Sequence, residues 1–225
     1  MSLSPSSAET TVTPPAAVTP PVAVTPPVAV TPPVAVTPGS TSPDPTSPRR
    51  SAERVRGWTL ASATTLMGLI AGFFYAYACS VMIGLAETGD RTFIESMQWI
   101  NATVRNVWFA PGFFGALLVT AVAAALHLGR AHRPVLVWIA AALVLYGAAF
   151  GITMGVNVPL NDRLAAAGDP AALADPGAVR AAYEGVWTAW NTTRTVASTV
   201  ALACLIRALV LHGRYTARPA RPQAY

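Results

Sequence analysis

Charge is what this chain has least of. Only 11% of its 225 residues are Asp, Glu, Lys or Arg, against about 25% in an ordinary soluble domain. Lysine is missing altogether, so all 15 basic residues are arginine; with 10 acidic residues the net charge is +5. A chain that is 53% hydrophobic and this poor in charge cannot coat a soluble globule of its size, so much of its surface must face something other than water. The arginines flank apolar runs and do not gather into a patch, which argues against a nucleic-acid partner and for anchors beside a lipid bilayer.

Cysteine is scarce as well. Cys79 and Cys204 each sit inside an apolar run with no CxxC neighbour, which argues against a disulfide framework or a thiolate metal site and predicts small buried hydrophobes. No glycine-rich phosphate loop, serine triad or HExxH occurs, so no cofactor or metal is expected from motifs. Residues 1–48 hold no Lys or Arg and no uninterrupted apolar core. A cleavable signal peptide is therefore not expected, and the first hydrophobic helix is expected to do the targeting. The three histidines, His127, His132 and His212, stand beside basic segments. They read as interfacial polar residues, with paired ligation of a haem or metal by His127 and His212 as the alternative.

What is present falls into two parts. Residues 19–24 read Thr-Pro-Pro-Val-Ala-Val, repeated at 25–30 and 31–36 with a degenerate copy at 13–18. Paired prolines block helix and remove amide donors, which predicts a disordered, polyproline-like tail over residues 1–56. It suits a spacer, a ligand for a proline-reading domain, or a dispensable low-complexity stretch.

Beyond Arg49, Arg50, Arg54 and Arg56, uncharged runs cover residues 57–86, 106–129 and 134–161. Each exceeds the roughly 20 residues that cross a hydrocarbon core. A fourth run carries Arg194 and Arg207, separated by about 20 Å of helix. They cannot both lie outside a core of about 30 Å. Trp187 and Trp190 suit an aromatic belt just before Arg194, which puts Arg194 inside the protein at the outer mouth and makes Arg207 snorkel. The fold class expected is all-α: an integral membrane four-helix bundle with spans at approximately 60–86, 107–128, 135–157 and 190–212, within a membrane domain over 57–215, and a cytoplasmic tail over 216–225. The arginines of the tail, of the loop at 130–133 and of the C-terminus, Arg218 and Arg221 included, place both termini in the cytoplasm of a cell-membrane protein by the positive-inside rule.

The two other loops hold Glu87, Asp90, Glu95, Asp162, Asp169, Asp175 and Glu184. In one, Phe93, Met97, Ile100, Val104 and Val107 recur at helical spacing opposite Glu95, Gln98, Asn101 and Arg105, predicting an amphipathic helix over 90–108. In the other, Asp175-Pro176 predicts a capped helix start running into the fourth span. The third span ends Asn157-Val-Pro159-Leu-Asn161-Asp162-Arg163, where Pro159 is expected to break the helix. On the fourth, Tyr183, Trp187, Trp190, Asn191, Arg194 and Ser198 share a face at spacings of three, four and seven. Such a strip can line a cavity. It can equally tie helices together, for instance through an Arg194–Asp162 pair. The Asn101-Ala-Thr103 and Asn191-Thr-Thr193 triplets match the glycosylation pattern, which chance also supplies.

The 157–162 stretch, then Trp187, Trp190, Asn191 and Arg194, together with Gly72-Phe-Phe-Tyr-Ala-Tyr77 and residues 101–114, resembles the bacterial branch of the anthrone oxygenase-like family of small four-helix membrane proteins. The likeness covers roughly residues 57–215 and leaves out the proline-rich tail. It implies dioxygen addition to an activated polycyclic phenol, giving a quinone with no metal or flavin cofactor. The substrate must first lose a proton, so the protein would supply shape, a base and anion stabilisation. The resemblance implies that Arg194 and Arg163 hold an oxyanion and that Asp162, the nearby carboxylate, is the candidate base. Asn157, Asn161 and Asn191 would position carbonyl and hydroxyl groups, with Tyr183 and Asn101 beside them, and Trp187 and Trp190 would stack on flat rings. The rival reading is a non-catalytic membrane protein that binds a lipid or small hydrophobic ligand or assists a partner.

Overall fold

A computed structural model describes residues 48–217 of the chain. The Thr/Pro/Val/Ala repeat, Arg218 and Arg221 lie outside the described residues. Within them the structure is all helix, with no strand. Four helices are long and apolar enough to cross a membrane: α1 (Pro48–Ala86), α3 (Phe109–Leu126), α4 (Arg130–Ala166) and α5 (Pro176–Thr216). A shorter helix, α2 (Asp90–Thr103), sits between the first two. About a third or less of each apolar stretch is buried inside the protein. Leu69, Leu118, Val144 and Val196 stand open on the outer faces. Exposed apolar surface on this scale fits hydrocarbon and not water, so the chain is a multi-pass membrane protein by its surface as well as by its length.

Each spanning helix contributes one buried stripe, as on Leu60, Ala63, Met67, Ile70 and Phe74 of α1 and on Val135, Ile139, Ala142, Tyr146 and Ala149 of α4. Alanines recur on these stripes because helices packed in lipid gain most from close backbone approach. Where α1 meets α3, a Cβ on Gly115 would stand 3.3 Å from the Leu66 side chain. The Tyr146 hydroxyl donates to the Phe113 carbonyl at 2.8 Å, joining α4 to α3 inside the core. Helix α1 packs between α3 and α5, and α5 packs between α1 and α4; the α3–α4 seam is the loosest of the four.

Several sequence expectations shift. Helix α1 starts at Pro48, so Arg49, Arg50, Arg54 and Arg56 are helical and not the end of a coil. Pro159 does not break its helix. A π-helical turn at Thr153–Asn157 comes immediately before it, and the wider turn accommodates the ring and the missing N–H, so the helix continues to Ala166. Cys79 is exposed and only Cys204 is buried; Cys79 falls in a second π turn, Tyr77–Val81, which rotates the buried stripe away from it. Helix α2 ends at Thr103, so Val107 leaves the apolar face and is exposed. Trp190 is 38% exposed and leaves the buried strip of α5. The Asp175 carboxylate accepts from the Ala178 amide at 2.9 Å, and α5 runs unbroken from Pro176 to Thr216.

Helix α2 is fixed across one end of the bundle. Phe93, Ile94 and Met97 are buried with Tyr183 and Trp187 of α5. Gln98, expected on the outer polar face, turns inward and donates to the Leu164 and Gly168 carbonyls at 2.9 and 3.0 Å. Arg180 clamps the α1–α2 turn: it donates to the Ala86 and Thr88 carbonyls at 2.9 and 2.8 Å, pairs with Asp90 and Glu184, and lies over the Phe93 ring.

Candidate functional site

Between α2, the α2–α3 turn and the ends of α1, α3, α4 and α5 lies a cavity of about 580 Å³. Its wall is mainly aromatic: Phe73, Phe74 and Tyr77 from α1, Phe109, Phe113 and Phe114 from α3, and Trp187 from α5. Phe109 stacks on Phe113, with ring centroids 5.3 Å apart. Both π turns reach the cavity, one through Tyr77 and the other through Thr153, Met154 and Asn157. A π turn displaces the stripe that follows it, and here it brings polar side chains to an apolar wall.

Arg194 carries the charge. It is 5% exposed, and its guanidinium lies 4.3 Å from the Phe74 ring centroid and 5.2 Å from that of Trp187. Nε and Nη2 donate to Asn191 Oδ1 at 3.1 and 3.0 Å, and Nη1 donates to Thr153 Oγ1 at 3.2 Å. A guanidinium has five N–H groups, so donors remain toward the cavity. Among the described residues Arg194 forms no ion pair. The expected Arg194–Asp162 pair is absent. Asp162 pairs with Arg105 at 3.0 Å, both about 62% exposed, at the cavity edge where Arg105 is part of the wall.

The asparagines divide the remaining polar work. Asn161 Oδ1 accepts from the Tyr183 hydroxyl and from Trp187 Nε1, both at 2.8 Å, and Asn101 donates to the Tyr183 oxygen at 3.3 Å. Asn157 Nδ2 donates to the Trp187 carbonyl at 3.3 Å, while its Oδ1 is buried and has no partner. Asn157, Asn161, Asn101, Trp187 and Arg194 therefore meet at one cavity, with Tyr183 and Asn191 directly behind them. Asp162, Arg163 and Trp190 are not part of its wall; Arg163 is exposed one residue past the rim. Asn191 is fully buried and Asn101 is bonded in the wall, so neither presents a free glycosylation acceptor.

Sequence reasoning missed the aromatic half of the wall and Thr153. Phe73, Phe74 and Tyr77 stand at one, three and four residues from each other, a helix-face signal that a uniformly apolar run conceals. The α3–α4 seam opens on the outer surface, since Phe114 and Met154 line the cavity and are also exposed.

These features define a class: a four-helix membrane bundle with an aromatic cavity at one end, carrying a buried, unpaired guanidinium. The sequence profile of the anthrone oxygenase family matches residues 105–204, and this match supports an anthrone oxygenase-like assignment. The matched stretch runs from the cavity edge at Arg105 through Asn157, Asn161, Trp187, Asn191 and Arg194. No curated protein and no solved structure matches the chain.

Proposed function

We propose that the cavity binds a flat, hydrophobic aromatic bearing an oxyanion or a strongly polarised carbonyl, and that the protein promotes its reaction with dioxygen. The observation that carries this reading is Arg194, a buried cation with only neutral partners. An unpaired buried charge costs several kcal/mol on general grounds, about as much as a broken buried ion pair. A site that holds one is suited to a ligand that brings the counter-charge. The aromatic wall suits flat rings, and the unpartnered Asn157 Oδ1 suits a ligand hydroxyl or N–H.

In such a reaction a ring CH2 next to a carbonyl loses a proton, and the charge moves onto the oxygen facing Arg194. Stabilising that oxyanion lowers the barrier to forming the electron-rich species that dioxygen attacks. One oxygen atom ends in a new ring carbonyl and the other leaves as water. The proton must go to a base, and Asp162 is the nearest acid in the sequence motif, at the rim beside Arg105.

A second reading has its own support. No carboxylate or imidazole is part of the cavity wall among the described residues, and the wall opens between α3 and α4 toward the lipid side. Both features suit a binding protein for a membrane-dissolved ligand with no chemical step. Dioxygen uptake by the full chain in lipid nanodiscs, supplied with an anthrone-type phenol, separates the two. Oxygenation predicts one dioxygen consumed per quinone formed, lost in Arg194→Gln. Saturable binding with uptake no faster than in empty nanodiscs overturns the oxygenase and leaves the binder.

A further inference from the structure

At the opposite end of the bundle lies a second polar cluster that the cavity does not involve. His127, His132 and His212 are all buried. They come from the end of α3, the start of α4 and the end of α5, and Glu53 and Arg56 of α1 close the group. His127 Nδ1 lies 2.7 Å from the Ala123 carbonyl and His127 Nε2 lies 3.3 Å from His212 Nδ1. His132 Nε2 and Arg56 both reach Glu53 Oε1, at 3.4 and 2.9 Å. Arg56 Nε also donates to the Leu126 carbonyl at 2.7 Å. Glu53 Oε2 and His132 Nδ1 are buried without partners. Among the described residues no group of three or more His, Cys, Asp or Glu is arranged to hold a metal ion.

The bonding fixes how many protons the pair can carry. A carbonyl only accepts, so His127 Nδ1 must carry a hydrogen. With His127 neutral, its Nε2 accepts from His212 Nδ1–H. With one added proton the bond survives: either His212 carries it on Nε2, where the Glu53 carbonyl accepts, and still donates through Nδ1–H, or His127 carries it and His212 turns acceptor. With two, N–H faces N–H at 3.3 Å and the contact becomes repulsive. Around the pair stand Glu53, with its backbone carbonyl, and Arg56 of α1 and His132 of α4, while Arg49 of α1 and Tyr215 of α5 stand beside His132. The arginines add to the repulsion, and Glu53 opposes it while already paired with Arg56. Helix α1 sits close against the pair, since a Cβ on Gly57 would stand 3.3 Å from His212 Nε2.

We propose that this cluster is a proton-responsive clasp, which ties α1 and α5 to the α3–α4 turn and loosens when the His127–His212 pair takes up its second proton. His127 lies just past the end of α3. Burial first, and then the nearby His212 and Arg56, hold its pKa below the ordinary histidine value, against the pull of the Ala123 carbonyl and Glu53. A base whose folded pKa is depressed gives stability that is complete above the unfolded value of about 6.5 and is lost as pH falls through it. Acidification therefore loosens the clasp.

The test uses the full chain in lipid nanodiscs. Between about pH 7.5 and 5.5 the Tm of the wild type should fall by about 3 °C or more. In His127→Gln and His212→Gln, which keep hydrogen-bonding groups but cannot titrate, the fall should be at most half as large. An equal fall in both variants overturns the proposal. Should either variant fail to fold, amide exchange of the wild type decides. Corrected for intrinsic rates, protection over residues 207–216 should drop at the lower pH relative to residues 187–198, and an unchanged ratio overturns the clasp.

Discussion

Arg194 can be asked whether it holds helices together or holds a ligand, because the two roles differ in energy. A buried charge that ties helices costs about 3–5 kcal/mol when removed. One kept for a ligand leaves the empty protein little weaker when an apolar side chain of similar length replaces it. Arg194→Met is therefore expected to lower unfolding free energy by no more than about 1 kcal/mol, or to raise it, measured by thermal unfolding without ligand. The same variant should lose about tenfold or more in affinity for a flat phenolate, the scale of a hydrogen bond to a charged group. Asn157 makes a smaller prediction. Its Oδ1 lacks a partner, so Asn157→Leu should weaken a hydroxylated ligand by about fivefold, one ordinary hydrogen bond, and leave the ligand's deoxy analogue unchanged. Titration calorimetry with the two ligands reads the difference.

Among the elements, α4 and α5 carry the site, and each has a joint that can be tested. Tyr146→Phe removes the hydroxyl bonded to the Phe113 carbonyl and should cost about 1 kcal/mol in thermal unfolding. Asp175→Ala removes the cap of α5 at a similar cost, with faster amide exchange confined to the first turn. The long helices were legible because uncharged runs of spanning length have few other readings, and Asp175-Pro176 marked the start of α5 correctly. The π turns were not legible, since nothing in Tyr-Ala-Cys-Ser-Val or Thr-Met-Gly-Val-Asn marks an extra residue in a helical turn. That one blind spot accounts for the misplacing of Cys79 and the misreading of Pro159. On α5 the three-and-four spacing put Tyr183, Trp187, Asn191, Arg194 and Ser198 on one face, and all five are buried. Trp190, about 60° around the helix from Trp187, sits at the edge of the strip and is exposed. Asp162 and Arg163 adjoin the motif in sequence, but one and two residues past Asn161 on the helix they turn outward and are exposed. Glu53 could not be tied to the histidines, because its partners lie some 80 or more residues away in the chain, at His132 and beyond.

For the whole molecule, the surface decides the medium. Val144 is 72% exposed near the middle of α4. On a watery surface Val144→Arg would change stability by about 0.5 kcal/mol or less. Facing hydrocarbon, it should cost about 2.5–3.5 kcal/mol in insertion, seen as loss of the protein from the membrane fraction. The bundle thus presents two polar ends joined by an oily middle: a histidine cluster among arginines at one end, and an aromatic cavity with one guanidinium at the other. The second has the volume and the unspent charge to take a ligand. The most direct measurement is the titration of a polycyclic phenol bound to the protein in nanodiscs, followed by the absorption of its phenolate. If Arg194 serves the ligand's charge, the bound phenol should ionise at least about one pH unit below its value in lipid alone, a tenfold preference for the anion, and Arg194→Gln should abolish the shift in a folded protein. A bound phenol that titrates as it does in empty nanodiscs, or a shift that survives Arg194→Gln, would contradict the account.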